Sequence, residues 1–287
     1  MKMRHILLAV ALTLLLMGCQ AEEPVGTVSV PPETSLSAVV STPLEDTPAP
    51  APSRSAQPTP EELLAQHPID GTHDAFLVDT GGRLGTLLVT AEKGERIPKS
   101  ELGDFAVTLS VWNPRNMEMP LQTMETEVED WCFGRHETVD ANFDGHMDFS
   151  VLCFMGNQPN YWYLWVWDEE AGQFTEVPEY TEISSPRCNP ETEVIDGWER
   201  YSPDGDGVTT FHRWEDGKLV CVRRIEVWWE PDEAIRTEEE ITVFPMHLKV
   251  EDRIDGELTQ VYYQYFSPGE SFSSEQEKWE NLDYHGE

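Results

Sequence analysis

Tyr161-Trp162-Tyr163-Leu164-Trp165-Val166-Trp167 is the stretch on which the fold turns. In an extended chain Tyr161, Tyr163, Trp165 and Trp167 share one side, and Trp162, Leu164 and Val166 the other. Both sides are apolar, as expected of a central strand buried on both faces. An exposed aromatic platform for sugar rings is the functional alternative. Working outward, the period stays at two. Ala75–Thr80, Leu84–Ala91, Phe105–Trp112 and Met147–Phe154 read as strands, as do Glu193–Tyr201, Val208–Trp214, Leu219–Trp229, Ile241–Val250 and Leu258–Phe266. Between them lie the turn pairs Gly81-Gly82, Ala171-Gly172, Asp216-Gly217 and Asp255-Gly256. Strands do not alternate with long helical patterns, so a parallel α/β sheet is not expected. The expectation is an all-β domain of antiparallel, meandering hairpins. Two short helices flank it. Thr59, Pro60 and Glu62 form a capping box with proline at the first helical position. Ser274 with Glu277 marks a second helix, running towards Leu282.

Charge narrows the function classes. The 287 residues hold 54 Asp and Glu against 19 Lys and Arg, a formal net charge of −35. Nucleic-acid binding needs clustered cations to neutralise phosphate, so no nucleic acid is expected as a partner. Residues 61–287 carry 49 of the acids and 16 of the bases. Such a surface is either simply well solvated or suited to metal ions or a basic protein.

The first 60 residues follow another logic. Lys2 and Arg4 precede an apolar run, Ile6–Met17, too short to span a bilayer comfortably. It ends in Leu16-Met17-Gly18-Cys19, which is similar to a bacterial lipobox. That similarity makes 1–18 a signal peptide and Cys19 the acylated mature N-terminus. Stable anchoring follows from two or more acyl chains, and the location is the cell envelope, outside the cytoplasm. Residues 19–59 form a tether, for Pro31–Pro60 holds eight Pro and nine Ser or Thr. A flexible segment of that length spans roughly 35 Å. Residues 60–287 are the folded domain.

One motif carries chemistry. Asp140-Ala141-Asn142-Phe143-Asp144-Gly145-His146-Met147-Asp148 has the form D-x-N-x-D-G-x-x-D. Oxygen donors fall at positions 1, 3, 5 and 9, His146 offers its backbone carbonyl, and Gly145 permits the sharp turn. Hard oxygen ligands suit Ca²⁺ rather than Zn²⁺. An EF-hand needs a Glu at position 12, where Val151 stands, and flanking helices, where the pattern is β. The alternative is a plain Asp/Gly hairpin turn. Ser202–Gly207 is a weaker acidic turn.

This loop resembles the calcium loop of integrin-type FG-GAP and VCBS repeats, which lies between two strands of a propeller blade. After it come strand Phe149–Phe154, Gly156-Asn157, the aromatic strand and Gly172-Gln173-Phe174. In that order they resemble a group of bacterial FG-GAP-like envelope lipoproteins. Some members are immunity proteins that bind and block peptidoglycan-hydrolase toxins. The resemblance covers about 135–220 and brings over the loop residues only. It implies an incomplete or degenerate β-propeller, at roughly 40–45 residues per blade, with a β-sandwich as the alternative. It also implies a calcium-stabilised domain that binds a protein, with a cell-wall hydrolase as one such partner. A carbohydrate or cell-wall binding module is the second reading, which a large flat aromatic face would favour.

Four cysteines remain besides Cys19, an even number in an exported chain. If the strands flanking the loop pair, Cys132 and Cys153 come nearly level, which leaves Cys188 and Cys221 as the second disulfide. Buried thiols acting as small apolar groups are the alternative. An enzyme is not expected. G-x-S-x-G and H-E-x-x-H are absent. Cys132 and His136 are about 13 Å apart at strand rise. His67, His73, His212 and His247 show no ligand spacing. An unrecognised hydrolase is the third and weakest reading.

Overall fold

The computed structural model describes residues 58–98, 105–156, 159–202, 206–231, 234–236 and 242–286. The leader, Cys19, most of the tether and positions 203–205 of the second acidic turn lie outside the described residues. Helix α1 (Pro60–Leu64) opens on Thr59, whose hydroxyl accepts from the Glu62 amide while Glu62 accepts from the Thr59 amide, as the capping box predicts.

Among the described residues every strand pairing within the sheets is antiparallel. The first sheet is a four-strand meander of β1 (His73–Asp79), β2 (Thr86–Arg96), β3 (Phe105–Trp112) and β4 (Gln122–Val128). A second four-strand meander follows, of β5 (His136–Val139), β6 (Asp148–Met155), β7 (Asn160–Asp168) and β8 (Gln173–Glu176). The third sheet adds β9 (Arg187–Asn189), β10 (Val194–Arg200), β11 (Gly207–Glu215) and β12 (Lys218–Trp229). A small hairpin, β13 (Ile235–Arg236) with β14 (Thr242–Val243), interrupts it. The sheet then resumes with β15 (Met246–Ile254) and β16 (Glu257–Phe266), giving the order β16-β15-β12-β11-β10-β9. Helix α2 (Ser273–Glu280) ends the fold. Its N-cap is Phe272 without a side-chain cap, so Ser274 lies inside the helix rather than capping it. Asp216-Gly217 and Asp255-Gly256 close two-residue hairpins with all four φ angles positive.

Sheets one and two pack through Phe76, Leu87, Val89, Leu109, Phe149, Trp165 and Trp167. Sheets two and three pack through Leu164, Ile183, Ile195 and Leu219. The aromatic strand β7 is therefore central, with Trp165 and Trp167 facing sheet one and Leu164 facing sheet three, as its two-sided pattern requires. Three sheets stack with the middle one covered on both sides, where a sandwich would have two. Gly197 permits the approach to the segment before β9: a Cβ there would stand 2.5 Å from Ile183 Cγ2.

The expected disulfides do not form: among the described residues none of the four cysteines is bridged to another. Cys132 sits in a short 3-10 turn (Asp130–Cys132) ahead of β5, not in a strand beside β6. Cys153 is the bulged residue of β6, its thiol donating to the Tyr161 carbonyl at 3.1 Å. Cys188, Ile195, His212 and Cys221 form one row across four strands. Three strand spacings, roughly 14 Å, separate its two cysteines, about twice the reach of a disulfide. Burial pushes the Cys132 and Cys188 thiols up to about 12, so both stay protonated and unreactive.

His212, in the same row, has a buried Nδ1 without a partner. Burial pushes its imidazole down to about 4, against an opposing hydrogen bond with the Ile195 backbone. The unfolded chain binds this proton below about pH 6.5 and the folded chain only near 4. Stability is thus complete above pH 6.5 and is lost as pH falls towards 4, on the order of 2–3 kcal/mol. Urea unfolding of the wild type and His212→Leu at pH 7 and 4.5 tests this. An equally steep acid loss in both proteins would refute it.

Candidate metal centre

The acidic loop spans the step from β5 to β6, which pair from Val139↔Asp148 to His136↔Val151. Gly145 adopts φ +88°, as its place in the motif anticipates, and Phe143 also enters the left-handed region at φ +61°. Phe143 sits against the core between sheets two and three. That packing offsets the cost of its backbone.

The loop is organised by carboxylates accepting amide protons. Asp140 accepts from Asp144 N (Oδ1, 3.1 Å) and Gly145 N (Oδ2, 3.0 Å). Asp144 Oδ1 accepts from His146 N at 2.8 Å, and its Oδ2 accepts from the Asn142 side-chain amide at 2.9 Å. Asn142 Oδ1 accepts from Asp144 N at 3.3 Å. Asp140, Asn142 and Asp144 thus form one tightly linked group.

Asp148 behaves differently. It is fully buried, with Oδ2 accepting from Ala141 N and Oδ1 from Trp167 N, both at 2.8 Å. Burial pushes its carboxyl up to about 7, opposed first by those two amides. Asp148 ties the start of the loop to β7. His146 reaches elsewhere with its imidazole, whose Nδ1 contacts the Thr80 carbonyl. That carbonyl, and then the charge of Asp144, hold the His146 imidazole above its ordinary value.

Among the described residues no three His, Cys, Asp or Glu side chains are grouped closely enough to hold a metal ion. The Asp140, Asp144 and Asp148 carboxylates are therefore not drawn together in this geometry: Asp148 is fully buried, its oxygens directed at the Ala141 and Trp167 amides. The donor chemistry still fits a hard cation. Each oxygen of Asp140 and Asp144 accepts one proton and retains a lone pair, and Asn142 adds a neutral oxygen.

A second feature escapes the motif reading. Sheet two covers one face of sheet three over β9–β11 and the first residues of β12. The rest of that face, on β12, β15 and β16, is open and displays Trp228 stacked on His247 (5.0 Å, 8°), with Tyr263 and Tyr265 beside them. Tyr263 is 48% and Tyr265 43% exposed. The Tyr263 hydroxyl and His247 Nδ1 share a 2.6 Å hydrogen bond. Lys249 bridges Glu226 and Glu251 next to them, at 3.2 Å each.

No family model, curated protein or solved structure matches this chain. The resemblance of the loop to FG-GAP repeats thus rests on its own residues. The alternation in Trp228, His247, Tyr263 and Tyr265 was visible in the sequence. That these positions align across three strands depends on register, which the sequence did not display.

Proposed function

We propose that this protein is a lipid-anchored, extracytoplasmic binding protein whose calcium-stapled β domain captures a basic protein partner, a cell-wall hydrolase being one such candidate. The exposed aromatic face beside the edge strand β16 is the observation that carries this reading. Strand β16 has ten residues and is the terminal strand of its sheet, the position at which an added strand can join. Tyr and Trp are the side chains that anchor protein interfaces, and the acidic domain supplies attraction for a cationic surface. The lipobox at Cys19 supports the anchoring, and the Pro-rich tether would hold the domain away from the bilayer.

Calcium is assigned to Asp140, Asn142, Asp144 and the His146 carbonyl. Asp148 is reassigned as the residue that holds this set against β7. A bound cation would offset the repulsion of the clustered carboxylates and stabilise the loop.

The test is affinity capture from envelope extract with the wild type and with Tyr263→Ala/Tyr265→Ala. A basic protein should bind the wild type in calcium, be released by about 0.5 M salt, and be lost from the double variant. Asp144→Ala should melt at the same temperature with calcium and with chelator, whereas the wild type gains about 2.7 kcal/mol at a hundredfold excess over Kd. Identical captured sets for wild type and double variant would end the partner reading. Identical wild-type melting in calcium and chelator would end the calcium reading.

A further inference from the structure

The opposite face of sheet three is also only half covered. Helix α2 and the residues after it pack on the β12–β15–β16 half, with Trp279 against Tyr262 at 4.9 Å. The β9–β10–β11 half is left open, with α2 as one wall. The result is a cleft of about 530 Å³ reaching from Ser185 and Trp198 to Gln276 and Glu280. A second hollow of about 200 Å³ shares Asp196, Phe211 and Glu280 with it, so the two form one elongated trough. The larger part lies in the size range of small-molecule sites.

The trough's chemistry is specific. Its floor is aromatic, with Trp198 on β10 half-buried and Phe211 on β11 buried. Flat apolar faces of that kind match the C–H faces of a pyranose ring. Its sides carry donors and acceptors next to one another. Arg187 Nε and Nη2 both bind one oxygen, Asp196 Oδ2, at 2.9 and 2.6 Å. That geometry leaves Asp196 Oδ1 as an acceptor and Arg187 Nη1 as a donor on the same wall. Across the trough Gln276 donates to Glu280 Oε1 at 3.0 Å, again placing an amide beside a carboxylate. Sugar hydroxyls donate and accept at once, so alternating donors and acceptors suit them.

The mixed charge favours a neutral ligand. The domain is strongly acidic, yet the trough holds an Arg–Asp ion pair, with Arg213 and Glu280 further along. A phosphate or carboxylate would meet Arg187 already paired with Asp196, and at the far end Arg213 with Glu280 and Asp283 beside it. A cation would have to displace Arg187. A neutral, polyhydroxylated, elongated ligand fits each constraint.

We propose that the trough between the β9–β10–β11 face and α2 binds a short neutral oligosaccharide, stacked on Trp198 and hydrogen-bonded by Arg187, Asp196 and Gln276. This site lies on the opposite face from the tyrosine-rich surface and does not depend on the protein-partner reading.

The full chain is titrated with cellotetraose, maltotetraose and tetra-N-acetylchitotetraose, followed by tryptophan fluorescence and calorimetry. At least one should bind with a Kd below about 1 mM. Trp198→Ala should weaken that sugar about tenfold or more and Gln276→Ala about threefold. Trp228→Ala, on the other face, should leave it unchanged. Gln276 is on the surface helix, so its variant carries the test if Trp198→Ala does not fold. Absence of binding by all three at about 10 mM would overturn the proposal. So would affinity that survives in Gln276→Ala and in folded Trp198→Ala, or that moves with Trp228→Ala. The tyrosine-face double variant should bind the sugar normally, so the two functional readings fail separately.

Discussion

Arg223→Met should cost about 3–5 kcal/mol of stability, the range for removing one partner of a buried ion pair. Arg223 is 2% exposed, at the middle of sheet three. Its Nε and Nη2 bind the two carboxylate oxygens of Asp252 at 2.6 and 2.8 Å. Its Nη1 donates to the carbonyls of Trp279 and Asn281, and Nη2 also to that of Tyr284, all at 2.9 Å. All five guanidinium hydrogens are therefore used, and Cζ lies 5.2 Å from the Trp279 ring centroid. Three of the acceptors are carbonyls at and beyond the end of α2, where a helix leaves its last carbonyls unpaired. Met fills a similar volume but leaves Asp252 charged and three carbonyls without a donor. Loss of the clamp should also free 273–286, so amide exchange there should rise together with the fall in the urea midpoint. Arg223→Met/Asp252→Leu should recover part of the loss, because it removes the orphaned carboxylate. A single-variant cost under about 1 kcal/mol would mean that the clamp contributes no more than a surface pair.

Strands rich in apolar or aromatic side chains were legible in the sequence, the edge strands β1 and β16 among them, and short polar edges were not. β3 has the predicted bounds, and β6, β7, β10, β11 and β12 differ from theirs by one residue at an end or little more. Each buries apolar side chains. The unpredicted β4, β5, β8 and β9 all lie at sheet edges, and the unpredicted β13 belongs to a two-strand hairpin. Gln122-Thr-Met-Glu-Thr-Glu-Val and Gln173-Phe-Thr-Glu alternate in space but carry charge where an inner strand would carry Val or Ile. The predicted strand Ile241–Val250 is divided into β14 and β15, with Pro245, which has no amide to donate, between them. The cysteine pairing failed for other reasons: β5 and β6 do pair, but Cys132 lies in the turn ahead of β5, and Cys188 and Cys221 share a row with two strands between them. In the loop, the positive φ of Gly145 and the grouping of Asp140, Asn142 and Asp144 followed from spacing alone. The role of Asp148 did not. Its second partner is the amide of Trp167, 19 residues away and brought alongside only by the pairing of β6 with β7.

That second partner makes Asp148→Ala the other severe substitution. The carboxylate has no exposed surface, and its two oxygens satisfy the amides of Ala141 and Trp167. Alanine leaves both donors buried, at about 1–3 kcal/mol each, so a loss of about 2–5 kcal/mol is expected. Ala141 is itself fully buried, and its carbonyl accepts from the Trp214 indole at 2.8 Å, so β11 is tied to the same point. Movement of the loop start would therefore loosen the packing of sheet two on sheet three as well as the loop. Asp148→Asn separates this from a metal-ligand role. Its single carbonyl oxygen can accept from one amide while its NH₂ opposes the other, so it should recover only part of the loss. If Asp148 positions the loop without binding calcium itself, Asp148→Asn should retain a calcium-dependent rise in melting temperature that Asp144→Ala lacks. Melting curves of the three variants with calcium and with chelator make the comparison. Loss of the calcium response in Asp148→Asn, with chelator-state stability unchanged from wild type, would return Asp148 to the ligand set. Stability lost in both conditions with the response retained would identify it as the strut between the loop and β7.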